Sequence, residues 1–326
     1  MKKMISMLLL VIVVAMAITP GLTAAQDKVI KIGILQLVEH AALDAAYQGF
    51  IDSLAEDGYV DGKNIEVDYQ NAQADQANLM TMSERFVKDD VDLILAIATP
   101  AAQAIAAATT KIPILITAVT DPVAAKLADS MEKPGMNVTG TTDAGPIDKQ
   151  LALLQEMFPE IKTIGVIYNS SEVNSEVQAK QAEEIAKTMG WGVRFGTITS
   201  VNDIEQVALS MVGRVQAIYA PTDNTIASAM PNLVKVAEEK KIPIMCGEPG
   251  MVEAGGLISI GIDYYKLGFQ TGKMAVKILK GEAEPTSMPI ESLTDADIVI
   301  NLNFAKAIGY EVPQDLLDRA TTVIEH

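Results

Sequence analysis

Short apolar, β-branched runs alternate with amphipathic stretches along almost the whole chain, and this alternation constrains the fold more than any single motif. The runs VIKIGIL (29–35), VDLILAIA (91–98), IPILITAV (112–119), TIGVIY (163–168), VQAIYA (215–220), IPIMCG (242–247) and GLISIGI (256–262) have no polar alternation, so they read as strands buried on both faces. Helical patterns lie between them, among them LDAAYQGFIDSLAEDG (43–58), QANLMTMSERFVKD (76–89), SEVQAKQAEEIAKTMG (175–190) and ASAMPNLVKVAEEKK (227–241). Strand and helix in strict succession predict α/β architecture: parallel sheets with helices on both faces.

The series occurs twice. One run fills residues 28–142, and DAGPIDKQLALLQEMF (143–158) opens a second that lasts to about 263. Further elements follow, a helix in YYKLGFQTGKMAVKILKG (264–281) and a strand in DADIVINL (295–302). The expected organisation is therefore two Rossmann-like lobes, 27–142 with 264–292 and 143–263 with 293–326. Three crossovers near Thr141-Thr142, Asp263 and Ser292 would form the hinge, and a cleft would lie between the lobes.

Polar residues cluster where the apolar runs end: Glu39-His40, Thr99-Pro100, Thr120-Asp121, Asn169-Ser170, Thr222-Asp223-Asn224, Glu248 and Asp263-Tyr264. In open parallel sheets ligands bind outside the carboxyl ends of the strands, where helix N-termini favour an anion. Ser, Thr, Asp and Asn also cap those helices, so each residue alone is equally well read as a cap. Their number points to a small, polar-ended ligand held between the lobes.

For an α-amino acid, Thr99 is the expected carboxylate partner, being followed by Pro100 at a first helical position. Ser170, Ser171 and Asn174 offer donors from the other lobe. Asp223 is the expected ammonium partner, with Asp121 and Asp263 as rivals that would otherwise serve as a cap and a hinge residue. Glu39, His40, Tyr219 and Tyr264 would frame an aromatic side chain, and Thr222, Asn224 and Glu248 complete the candidate set.

The N-terminus carries Lys2 and Lys3, the apolar run MLLLVIVVAMAI and the breaker Pro20-Gly21, the pattern of a secretory signal cleaved near Ala25. The alternative is an uncleaved anchor, but the run is short against the roughly 20 residues of a span. The only cysteine, Cys246, lies far from that site and reads as a small buried hydrophobe. A formal net charge of −17 argues against a nucleic-acid partner, which needs a basic footprint.

The chemistry of an enzyme is missing. His40 and His326 are the only histidines, and the chain has no G-x-S-x-G elbow, GxxxxGK[ST] loop, CxxC or HxxxH spacing. Binding is expected to need no cofactor and no metal.

Seven segments together resemble the ABC-transporter substrate-binding proteins of the tryptophan/tyrosine-type family: DGYVDGKNIEVDYQNA, ILAIATPAAQA, ITAVTDPVAA, PGMNVTGTTD, YNSSEVNS, PTDNTIAS and ISIGIDYYKLGFQTGKMAVKILKG. They occur in the family's order across the mature chain. The resemblance implies a type I periplasmic binding fold, a soluble periplasmic receptor, partners in a permease and its ATPase, and an amino-acid ligand, most readily an aromatic one. A monomer is expected. The other readings are a receptor signalling through a membrane kinase, a receptor for a different small solute, a regulator's sensory domain, and an enzyme on the same fold. The export signal opposes the regulator, and the missing catalytic set opposes the enzyme.

Overall fold

The computed structural model describes residues 29–325, so the expected export signal, its cleavage point and His326 lie outside the described residues. The first series runs β1 (Ile30–Gln36), α1 (Ala41–Glu56), β2 (Ile65–Asn71), α2 (Gln76–Lys88), β3 (Leu93–Ile97), α3 (Thr99–Ala108), β4 (Ile114–Thr117) and β5 (Val138–Thr142). The second runs α4 (Ile147–Met157), β6 (Thr163–Asn169), α5 (Val173–Thr188), β7 (Gly192–Ile198), α6 (Ile204–Met211), β8 (Ala217–Ala220), α7 (Asn224–Ser228), α8 (Met230–Lys240), β9 (Ile244–Cys246), α9 (Pro249–Glu253) and β10 (Ile258–Gly261). The chain closes with α10 (Tyr264–Leu279), β11 (Glu291–Ser292), β12 (Asp297–Asn301), α11 (Leu302–Ile308), α12 (Gln314–Arg319) and β13 (Thr322–Ile324).

Two sheets result, with the orders β11-β5-β4-β3-β1-β2 and β13-β12-β10-β9-β8-β6-β7. All pairings are parallel except β10 with β12, where the returning chain runs the other way. Five consecutive strands repeat one pattern: β5-β4-β3-β1-β2 in the first sheet and β10-β9-β8-β6-β7 in the second. In both, the strand order reverses around the first strand of the series, which places a switch point beside β1 and another beside β6.

Each sheet has its own core. One cluster joins residues of 32–138 with Ile262 to Ile290, and the other joins 147–260 with Val299 to Leu316. The chain therefore changes core between Ile260 and Ile262. The helix α10 packs along α1 in the first unit. That contact is backbone on backbone: a Cβ on Gly268 would stand 1.9 Å from Ala46 O, and one on Gly49 would stand 2.0 Å from Tyr265 O. Glycine is needed at both positions because any side chain would force the helices apart. Where the chain returns, β11 pairs with β5, with Ser292 beside Thr142, so two crossovers lie side by side.

The edge strands β2 and β7 are half exposed, with polar and apolar residues mixed. The pattern 227–241, read as one helix, is two: α7 and α8 break at Ala229, shortly before Pro231. Trp191 and Cys246 are both buried in the second core. No described helix is long and apolar enough to cross a membrane.

Candidate functional site

The carboxyl ends of both sheets meet around a small cavity of about 10 Å³. The first unit and its crossovers supply His40, Leu43, Ala118, Thr120, Asp143 and Tyr264 to the wall. The second supplies Asn174, Thr222, Asp223, Asn224, Ala227 and Glu248. His40 follows β1, Asn174 opens α5 after β6, and Thr222 to Asn224 follow β8, so the cavity sits at both switch points. Ala98 and Ala118, at the ends of β3 and β4, hold φ of 83° and 55°. Positive φ is costly for alanine and tends to gather at binding sites.

On the second unit much of the wall is a polar network centred on Glu172. Its carboxylate accepts from Asn224 Nδ2 at 2.6 Å, Thr225 Oγ1 at 2.9 Å and Thr225 N at 3.1 Å. Asn174 Nδ2 donates to Thr222 O at 3.1 Å and to Glu172 at 3.3 Å. Asp223 caps α7: its two oxygens accept from Asn169 N at 2.6 Å and Ile226 N at 2.9 Å. Burial, followed by the charge of Glu172, pushes the Asp223 carboxyl up to about 7.

Two other acids are less committed. Asp143 lies just past β5 and accepts the Tyr264 hydroxyl at 2.7 Å, which ties two crossovers together. Glu248 caps α9 by accepting Gly250 N at 2.5 Å. The second oxygen of each, Asp143 Oδ1 and Glu248 Oε1, is buried without a hydrogen-bond partner, as are Asn174 Oδ1 and Thr222 Oγ1 in the same wall. Burial raises both acids, Glu248 to about 8; the hydroxyls of Tyr264 and Thr120 offset part of the shift at Asp143. Among the described residues no lysine or arginine lines the space.

His40 spans the cleft, with Nε2 3.3 Å from Asn224 Oδ1. Because Asn224 Nδ2 donates to Glu172, its oxygen faces His40, and the ring nitrogen is the donor. Burial lowers the His40 pKa, which keeps the ring neutral.

Of the residues expected from sequence, His40, Asn174, Thr222, Asp223, Asn224, Glu248 and Tyr264 line the cavity. Thr99 does not; it is buried at the start of α3 with its hydroxyl unpartnered. Asp121 and Asp263 cap local turns, accepting from Ala124 N and Lys266 N. Glu39, Ser170 and Ser171 are exposed, and Ser171 faces a separate open groove. Tyr219 is deep in the second core, where its hydroxyl donates to Gln150 at 2.9 Å. Asp223, expected to meet an ammonium group, spends both oxygens on backbone N–H groups.

The expected set lacks Asp143, Glu172 and Thr120. Thr120 stands in the strand-end dipeptide from which only Asp121 was drawn. Asp143 directly follows the crossover at Thr142 and could have been found from that position. Glu172 carries no signal of its own, since an acid before a helix is ordinary. Among the described residues no group of His, Cys, Asp and Glu is arranged to hold a metal ion.

A sequence model of the family described as "ABC transporter substrate binding protein" matches residues 31–324. The chain belongs to this family. The match is to a binding family rather than an enzyme family. A tyrosine-binding protein of Clostridioides difficile is 47% identical over 281 residues, covering 86% of this chain and 81% of the relative. A Streptococcus pneumonia domain solved in complex with L-Trp is 41% identical, covers 91% of this chain and 100% of its own, and superposes with a TM-score of 0.88. A ligand-free, open substrate-binding protein from Clostridium difficile is closer in sequence, 49% identical with the same coverage, yet superposes at only 0.70. At 16% identity and a TM-score of 0.61, a myo-inositol-bound protein of Bacillus halodurans shares the fold of a type I periplasmic binding protein.

Proposed function

We propose that this protein is the extracytoplasmic receptor of an ABC importer and that it binds an amino acid with an aromatic side chain, tyrosine or tryptophan, by closing two lobes around it. The observation that carries the reading is the convergence of four unpartnered, buried polar atoms on one enclosed space between the two sheets. Buried polar groups need partners, and these are acceptors without a cation, as an ammonium group requires. Asp143 and Glu248 therefore take the role of ammonium partners, and Asp223 serves as scaffold. The space between these walls is only about 10 Å³, room for a water molecule, so the side chains must part to admit an amino acid. Leu43, Ala118 and Ala227 supply its apolar surface, and the tyrosine-binding and L-Trp-bound relatives support the choice of side chain.

The moving bodies in this reading are 27–142 with 264–292 and 143–263 with 293–326. The closer superposition on the ligand-bound relative than on the open one, against the order of sequence identity, supports a closed arrangement here. The N-terminal pattern supports export to the periplasm through a cleaved signal, and the family match supports a receptor that hands its solute to a permease.

Calorimetry of the purified mature chain tests the reading. Saturable binding of L-tyrosine or L-tryptophan, with a contraction of the particle in small-angle scattering, is the expected result. Binding of a sugar or inositol with no heat from any amino acid would overturn it.

A further inference from the structure

We propose that, of the two buried acids on this wall, Asp143 and Glu248, one keeps its proton in the ligand-free cleft and surrenders it to solvent when a ligand ammonium group enters. The inference rests on the amino-acid reading above and adds to it a proton released on binding. Its basis is geometric. Asp143 and Glu248 are only 3% and 2% exposed. Each has one oxygen held by a protein donor, the Tyr264 hydroxyl or Gly250 N–H, and the other oxygen buried in the cavity wall without a partner. Independently, Asn174 Oδ1 and Thr222 Oγ1 present two further unpartnered acceptors to the same space.

Two buried carboxyl groups on one wall, with no lysine or arginine among the described lining residues, oppose double ionisation, so one keeps a proton. The groups around them do not change this. Tyr264 donates to Asp143, His40 is neutral, and Cys246 is held protonated by burial. Glu253 beside Glu248 adds negative charge, and Asp223, with Glu172 behind it, is another acid. An entering ammonium brings one positive charge and three N–H donors for these acceptors. The carboxyl O–H bond breaks, its proton passes to water, and the pair with its counter-ion carries one negative charge before and after. Ligand affinity should accordingly rise with pH, by up to about tenfold per pH unit while the pair still holds its proton.

Calorimetry with L-tyrosine and L-tryptophan at pH 7, in phosphate and in Tris, counts the protons, because the two buffers take up a proton with different heats. The parent should release close to one proton per ligand bound, and Glu248→Gln should bind with a count near zero. Asp143→Asn serves as the second variant if Glu248→Gln does not fold. Carbon-13 resonances of the two carboxyl groups in the ligand-free parent give a separate readout and should show a titration in the neutral range. Equal heats in both buffers would overturn the proton release and leave the amino-acid reading standing. If neither amino acid binds, that reading fails; the carboxyl resonances then decide the pair, which is sustained by a neutral-range titration and overturned if both groups titrate near pH 4.

Discussion

The two units share a strand order but meet the cavity in different ways. On the second, Glu172, Asn169, Asp223, Asn224 and Thr225 bond one another in a single network, beside which Asn174 Oδ1, Thr222 Oγ1 and Glu248 Oε1 stay unpartnered. On the first, the polar groups stand on loops or at the crossovers, where Asp143 also keeps a free oxygen. One wall is held largely by bonds within its own unit; the other takes its polar groups from the segments that link the two sheets. In a receptor that closes, a network built entirely within one body survives opening intact, whereas groups on crossovers change their surroundings as the bodies rotate.

The sharpest way to break this comparison is to remove the hub. Glu172→Ala leaves several buried donors unsatisfied and should cost about 3–5 kcal/mol of stability, as breaking a buried charged network does. Guanidinium unfolding of the variant measures it, and a loss under about 1 kcal/mol would mean the second wall is not preorganised. Asp143→Asn should behave in the opposite manner. The fold should hold, because asparagine still accepts from Tyr264, while amino-acid binding weakens by about 2–5 kcal/mol, as when one partner of a buried charge pair is lost. Calorimetry showing unchanged affinity would move the ammonium elsewhere.

Proton linkage gives a smaller effect of known sign. Glu248 is raised from an ordinary 4.5 to about 8, so the folded chain holds its proton more tightly than the unfolded one. That contribution is complete below pH 4.5 and is lost as pH rises through 8; the rise at Asp143 acts in the same direction. The ligand-free protein should therefore melt several degrees lower at pH 8 than at pH 5, and Glu248→Gln should flatten the slope. A melting temperature that climbs over this range would contradict the burial of these acids. The smallest effect belongs to His40→Ala. It removes one long hydrogen bond across the cleft, worth about 1 kcal/mol or less. Affinity should fall a few-fold through a shift toward open forms, visible as a larger radius of gyration at subsaturating ligand.

Much of the fold is legible from the chain because strands buried on both faces must be continuously apolar, and β1, β3, β4, β6, β8, β9 and β10 are. The edge strands β2 and β7 carry Glu66, Asp68 and Arg194 on half-exposed faces and lose that signature. The antiparallel turn of β12 has no local signal, since it depends on where the chain returns. At the site, strand ends identify candidates but not orientations. Thr222, Asp223 and Asn224 are consecutive, yet one has its hydroxyl in the wall, one caps α7 and one bridges Glu172 to His40. Thr99 and Tyr219 fit the chemistry expected of them and still point into the interior. Asp143 gains its place only when Thr142 and Ser292 come together, a pairing of residues far apart in sequence.

The glycine contact between α1 and α10 has a consequence for how such receptors diversify. Gly49 and Gly268 bring main chain against main chain, and a Cβ at either would collide with a carbonyl rather than with a side chain that could yield. That joint therefore offers mutation almost nothing to adjust, while Tyr264, at the head of the same helix, ends in the binding cavity. The wall residues, by contrast, sit on loops and helix caps where one side chain can replace another without moving the main chain. A lineage built on this plan can exchange one solute for another while inheriting its joint unaltered.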